Sequence, residues 1–455
     1  MATHTILLPH GLGFNKLLTD GHDGTLRLAG LPPEQALRAG QVTVTLSHPD
    51  QRAQLAAVSA HAEQCTMIVG DPTYDRLRAS LGLRARYREA LGAGDRRLVT
   101  LASTWGSESL IGRRSRLPHQ LLADLPIDSY QVVVVLHPNV WARYGRFQIE
   151  LWFASALDAG MVLMPPESGW QSALIAADVV VSDQGSLGLF TAALDRPLLM
   201  VGRAAETVSG TPVETLAASA PTLYPDRDLR HQLDAATNSY QPGRYQHITD
   251  RVFADVGTAA RNVQALIYRE LDVPLPAYTT PAPRIPVPDC GSRPVRSFVV
   301  RTGRVADAML DLVRIPAAAW QHQHHAGGLP ETHLVAGETE SDPKIIERAA
   351  AITHDRELDA ATGTQWARSA LTDYPGARFV VAATPRGAVA AMRGGVTVMA
   401  TTSSPHPQRA ALIASALYCC LLDGCLSDQR ITVRAGVNAM DVSFTVAPAS
   451  DATSR

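Results

Sequence analysis

Four short segments of this chain gather residues that can hold an anion or move a proton. The first is His10-Gly11-Leu12-Gly13-Phe14-Asn15-Lys16. A histidine, two glycines and a lysine on one loop can set a base beside a negative group, although the GxxxxGK spacing of a P-loop is absent. Of 41 basic residues only Lys16 and Lys344 are lysines, and an ammonium is a compact point charge that a planar guanidinium does not replace at a tight site. The second segment, Ala102 to Ser109, carries Ser103 and Thr104. Their hydroxyls suit a phosphate, or equally a helix cap beside a packed Trp105. The third is Leu136-His137-Pro138-Asn139, directly after four consecutive valines; its His137 is either a ligand-facing imidazole or a hydrogen-bonded structural one. The fourth runs from Asp178 to Gly188 and holds Asp183, Gln184, Gly185 and Ser186. Small and polar residues at such a turn expose backbone N–H groups to an anion, with a plain capped turn as the alternative. The GxSxG pattern of a nucleophile elbow is missing.

These segments take their meaning from the elements before them. Apolar, β-branched runs predict strands at 5–8, 42–46, 66–69, 98–101, 132–136, 161–163, 179–181 and 198–201. Helical patterns at 49–61, 74–81, 116–122, 148–159, 170–176 and 188–194 fall between them. Continuous apolar strands separated by helices imply a parallel sheet covered on both faces. Ligands of such sheets lie beyond the carboxyl ends of the strands, where these four segments occur. Prolines 274, 276, 281, 283, 286, 288 and 294 mark a Pro-rich linker over 272–294, since proline cannot donate to a ladder. After it, helices at 343–354, 365–374 and 407–422 mix with strands at 298–300, 333–335, 379–383, 388–392, 396–400 and 431–435. This predicts a C-terminal α+β domain over 295–446 with an antiparallel meander, then a disordered tail over 447–455.

Composition narrows the function classes. With 46% hydrophobic and 18% charged residues the chain is expected to fold rather than remain disordered. A formal net charge of −2 gives no electrostatic footprint for nucleic acid. No apolar run approaches the length of a membrane span, and no secretory signal is visible. Five cysteines, with Cys419, Cys420 and Cys425 crowded together, do not form a disulfide framework and point to a reducing cytoplasm. The tract Gln321-His322-Gln323-His324-His325 lacks spaced partners and reads as a solvated loop, so no metal site is expected.

In order and spacing, these motifs resemble those of the CDP-glycerol glycerophosphotransferase family, the teichoic-acid polymerases and primases. His10, Gly11 and Lys16 look like the family's His-Gly…Lys segment, and Gly70 to Asp75 like its Gly-x-Pro-Arg-Asn-Asp. Ser103-Thr104-Trp105 looks like its Pro-Thr-Trp, His137 like its strand-ending histidine, and Asp178 to Pro197 like its Asp-x-x-Ile-Thr-Asp…Arg-Pro stretch. The likeness covers residues 5–202. It departs at Phe190, where the family has an acid, and at Gln184-Gly185, which replaces Tyr-Ser.

The resemblance implies an α/β fold of glycosyltransferase-B type, two Rossmann-like halves with the active site between them. The halves would be 1–92 and 93–271, the second binding the nucleotide donor. The early position of His10 predicts that the first half is incomplete. His10 would act as base toward an acceptor hydroxyl. His137 would stabilise the leaving diphosphate. Lys16, Ser103, Thr104, Asp183, Gln184, Gly185 and Ser186 would bind substrate. The implied activity is transfer from a nucleotide-activated, CDP-linked donor to a polyol, sugar or lipid-linked acceptor in cell-envelope polymer synthesis. No cofactor is needed, because positioning and charge stabilisation carry such a transfer. Peripheral contact with the inner face of the membrane is compatible with a lipid-linked acceptor. The alternative is a non-catalytic nucleotide-binding or scaffold protein built on the same fold. An epimerase-like enzyme shares the architecture, but no carboxylate near 186–194 suits a ribose.

Overall fold

The computed structural model describes residues 4–447, except 10, 20–25, 168, 203–206, 279–280, 307, 321–331 and 405. His10, the tract 321–325 and all but the first residue of the tail lie outside the described residues. The chain divides into two units. The first comprises 1–117, 132–149 and 162–291, and the second 118–131, 150–161 and 292–455.

The first unit holds two parallel sheets. Strands β1 (Thr5–Leu7), β4 (Val42–Leu46) and β5 (Thr66–Ile68) form a three-stranded sheet in the order β1-β4-β5. Between β1 and β4, β2 (Leu17–Thr19) pairs antiparallel with β3 (Leu26–Leu28). Leu46, Leu55, Phe14 and Val44 fill the small core beneath this sheet. The second sheet uses β6 (Arg97–Ser103), β7 (Tyr130–Leu136), β8 (Val162–Leu163), β9 (Val179–Ser182) and β10 (Leu198–Met200) in the order β10-β9-β6-β7-β8. Its first strand in the chain, β6, is central, with β7 and β8 on one side and β9 and β10 on the other. That is the doubly wound order, and the connections part company between β6 and β9. Every residue of β7 and β9 is buried, as the apolar runs require of strands covered on both faces.

The motif Gly70 to Asp75 is spent on this framework. Asp71 caps the helix Pro72–Ser80 by accepting from Tyr74 N at 2.6 Å. Asp75 accepts from Gly257 N and Ala259 N, at 2.6 and 3.0 Å, and so caps the helix Ala259–Glu270. Gly70, at φ +81°, lets the chain pass Ala254 O where a Cβ would sit 3.0 Å away. Asp178 lies at the amino end of β9, away from the candidate site. It binds Arg84 and Arg88 at 2.6 and 2.7 Å and accepts from Leu98 N. The described residues of 272–291 form no regular element, yet Ile285 is buried and tied to Ser80 and Tyr87. The Pro-rich stretch is therefore anchored along this unit.

The second unit is a closed nine-stranded barrel around a helix. Its strands are β11 (Ser297–Ala306), β12 (Met309–Pro316), β13 (Thr332–Gly337), β14 (Ala351–Thr353), β15 (Phe379–Thr384), β16 (Gly387–Met392), β17 (Thr397–Thr401), β18 (Gln429–Ala435) and β19 (Asn438–Ala447). The meander β15-β16-β17 is present. The predicted helix 343–354 divides into the helix Pro343–Arg348 and strand β14. β12 and β19 add two long strands that the sequence pattern left unassigned. The helix Arg409–Leu422 touches β11 to β16 and β18, and ten of its residues are buried. A helix apolar on all sides belongs inside a core, and here Leu412, Ile413, Leu417 and Cys420 fill the barrel. Asp128 from the early segment meets Arg314 of β12 in a buried bidentate pair, and Arg314 lies 4.6 Å over the Phe298 ring.

Candidate functional site

The switch point between β6 and β9 brings the motif residues together. β6 ends at Ser103 and β9 at Ser182, so the segments 104–110 and 183–186 leave the same edge of the sheet. Asp183 stitches them. Its Oδ2 accepts from Thr104 N, Thr104 Oγ1 and Leu110 N, each at 2.8 Å. Only 1% of Asp183 is exposed, and its Oδ1 has no hydrogen-bond partner among the described residues. Burial pushes its carboxyl above the usual carboxylate range, against the pull of the Leu110 and Thr104 bonds. Ser103 is buried as well; its hydroxyl donates to Thr104 O and accepts from Ile111 N at the start of the helix Leu110–Arg113. The sequence reading gives Ser103 and Thr104 to the phosphate and counts Asp183 among the substrate-binding residues. The geometry commits their polar groups to the scaffold of the loop.

Gly185, Ser186 and Gly11 face the same edge. Gly185 is the N-cap of the helix Ser186–Ala193 and brings no side-chain cap. The first N–H groups of a helix have no partner within it, and that end carries positive potential. A Cβ at Gly185 would sit 2.4 Å from Thr104 Cγ2, so only glycine fits. Ser186 Oγ accepts from Leu12 N at 2.9 Å, which docks the His-Gly loop onto this helix. Gly11, at φ +93°, permits the approach, because a Cβ there would meet Ser186 Oγ at 2.6 Å. Gln184 turns aside and donates to Gly202 O at 2.7 Å.

Lys16 and His137 converge on Trp105. Lys16 Nζ lies 4.7 Å from the Trp105 ring centroid. The His137 ring centroid lies 6.3 Å from that of Trp105. His137 Nδ1 accepts from Asn139 N at 3.1 Å, so the neutral ring carries its proton on Nε2 as a donor. Trp105 is the residue that sequence reasoning undervalued. It is 38% exposed rather than packed, with both Lys16 and His137 near its ring. Its signal was its place two residues beyond a buried strand end. Phe190 is a core residue, 5.4 Å from Trp170 and 5.8 Å from Phe253 by ring centroids. Among the described residues no cluster of acids, histidines and cysteines could hold a metal.

No family model and no curated protein matches the chain. Solved structures do resemble it. The wall teichoic acid polymerase TagF is 14% identical with a TM-score of 0.40, over 59% of this chain and 68% of that one. A putative UDP-N-acetylglucosamine 2-epimerase from Listeria monocytogenes is 15% identical with a TM-score of 0.31, over 51% and 61%. A glycosyltransferase from Rickettsia africae is 10% identical with a TM-score of 0.32, over 53% and 68%. At these scores neither the donor nor the activity of those proteins carries over.

Proposed function

We propose that the first unit binds a nucleotide-activated donor at the β6–β9 switch point and transfers its activated group to an acceptor hydroxyl. The observation that carries this reading is the convergence of Lys16, His137, the Trp105 ring and the uncapped Ser186–Ala193 helix on one sheet edge. The helix end and Lys16 suit a diphosphate, and His137 Nε2–H donates to the oxygen on which charge develops as the nucleotide leaves. Trp105 offers a ring face to a base or sugar. Gly185 and Ser186 bring the helix end close, while Ser103, Thr104 and Asp183 hold the loop that presents Trp105. His10 precedes the docked Gly11-Leu12 segment and would serve as the base. A cytidine-linked glycerol donor and a role in cell-envelope polymers follow from the motif resemblance. No described helix is long and apolar enough to cross a membrane.

A second reading, a nucleotide-binding scaffold without turnover, is favoured by Phe190, which puts a buried ring where the resembled family has an acid. A thermal-shift titration of the full chain with CDP-glycerol, CMP, UDP-sugars and ADP-sugars tests both. Ligand at about 100 times its Kd adds about 2.7 kcal/mol, or roughly 5 °C and more for a unit of this size. A cytidine-selective shift that His137→Ala weakens supports the donor site, and release of CMP with an acceptor then separates enzyme from scaffold. Absence of any nucleotide shift overturns the donor site.

A further inference from the structure

We propose that the barrel unit carries a second ligand site, at one of its mouths, for a small phosphorylated molecule with a flat ring. A cavity of about 570 Å³ opens there, within the size range of small-molecule sites. It lies at the amino ends of the parallel strands β13, β14 and β15, where His333, Ala350 and Arg378 line it. Gly376 lets the wall close: a Cβ there would sit 2.6 Å from Glu347 O, so the turn before β15 can lie against the helix Pro343–Arg348.

The lining sorts into charge and rings. Lys344 and Arg348 stand one turn apart on that helix, and Arg378 faces the same space. Among the described residues no carboxylate forms an ion pair with any of the three. The lining carboxylate, Asp342, accepts from Lys344 N at 2.9 Å as the helix cap. Three cations around one cavity repel one another, and a dianion relieves that repulsion. The rings are Tyr418, on the central helix, and Trp320. Tyr418 stacks on His333 with centroids 4.2 Å apart, and Arg378 lies 5.6 Å from the Tyr418 ring. His333 itself is 5% exposed. Its Nε2 lies 3.0 Å from Ser415 Oγ, while its Nδ1 has no partner among the described residues. An unpaired buried nitrogen is costly, and a polar ligand seated against the ring offers it one. Cations for the phosphate and aromatic faces for the ring define the ligand class.

The chain's two lysines make the site readable by chemistry. Pyridoxal 5′-phosphate has a flat ring, a phosphate and an aldehyde that condenses with an amine, releasing water. Borohydride then fixes the imine by hydride addition. Peptide mapping separates modification at Lys344 from that at Lys16. On the full chain we expect saturable modification of Lys344. Arg348→Ala/Arg378→Ala should slow it about tenfold, the loss expected for charge-assisted hydrogen bonds. Pyridoxal without phosphate should be about tenfold less effective. Adenosine monophosphate should protect Lys344 better than pyrophosphate. Both arginines are exposed, and an unchanged Tm confirms that the variant folds. Non-saturable modification, indifference to the double substitution or equal reaction with pyridoxal overturns the site. Equal protection by pyrophosphate overturns the ring and leaves a bare phosphate site.

Discussion

The two units dispose of their polar groups in opposite ways. The first holds two open parallel sheets, and its chemistry-bearing residues gather at the carboxyl edge of the doubly wound one, where β6 and β9 diverge. The second is a closed barrel that takes charge and imidazole into its wall and interior, as with Arg314, Asp128 and His333. An open sheet has a switch point that leaves loops free to carry ligands. A barrel filled by a helix has no such crevice, and its inward-facing polar residues can reach solvent only at its mouths. The same contrast predicts where substitutions hurt: core ion pairs should dominate the second unit, and loop stitching the first.

The largest effect should come from the barrel. Arg314→Ala leaves Asp128 buried without its partner and should cost about 3–5 kcal/mol. Chemical denaturation followed by near-ultraviolet circular dichroism would measure it, and a loss under 1 kcal/mol would break the contrast.

His333 should sharpen it through pH. Burial lowers its pKa to about 4, so the unfolded chain takes up a proton first as pH falls from 6.5. Stability is full above that value and is lost as pH drops toward 4, by up to about 3 kcal/mol. His333→Gln should flatten this dependence in calorimetric scans at pH 4.5 and 7.5; an unchanged slope assigns it elsewhere.

The smallest effect is in the open sheet and has two arms. Asp183→Ala strips an acceptor from Thr104 N and Leu110 N and should cost about 2–3 kcal/mol. Asp183→Asn can keep those bonds on its oxygen while removing a buried charge. Because burial raises the Asp183 pKa, its native charge opposes folding increasingly as pH rises. The asparagine variant should therefore match or exceed the parent at pH 7.5 and lose that advantage in acid. Equal losses in both variants would mean that the charge, not the stitching, holds the loop.

Much of the first unit was legible because its signals are local. The strand Val42–Leu46 and the helix Trp170–Ala176 coincide with the expected bounds, since apolar runs and helical periods are written in consecutive residues. The helix expected over 49–61 instead breaks into Pro49–Ala56 and Ala60–Gln64, where Ser59 caps a new start. The barrel was less legible. Closure depends on pairings such as β12 with β18 and β17 with β19, which join residues far apart in sequence. The candidate site divides in the same way. That Gly185 and His137 lie at strand ends is readable from what precedes them. That the Ser103 hydroxyl and the Asp183 carboxylate are already occupied depends on partners in other loops.

The helix enclosed by the barrel also dictates an order of assembly. During synthesis Arg409–Leu422 emerges before β18 and β19, the strands that complete the ring around it. Until those residues leave the ribosome, its apolar sides and the open edges of β12 and β17 remain uncovered. Unpaired edges beside exposed apolar surface are the features that draw nascent chains into aggregates. Translation speed over the stretch that encodes the barrel, and the supply of chaperones at that moment, should then govern the yield of folded protein more than the final stability does.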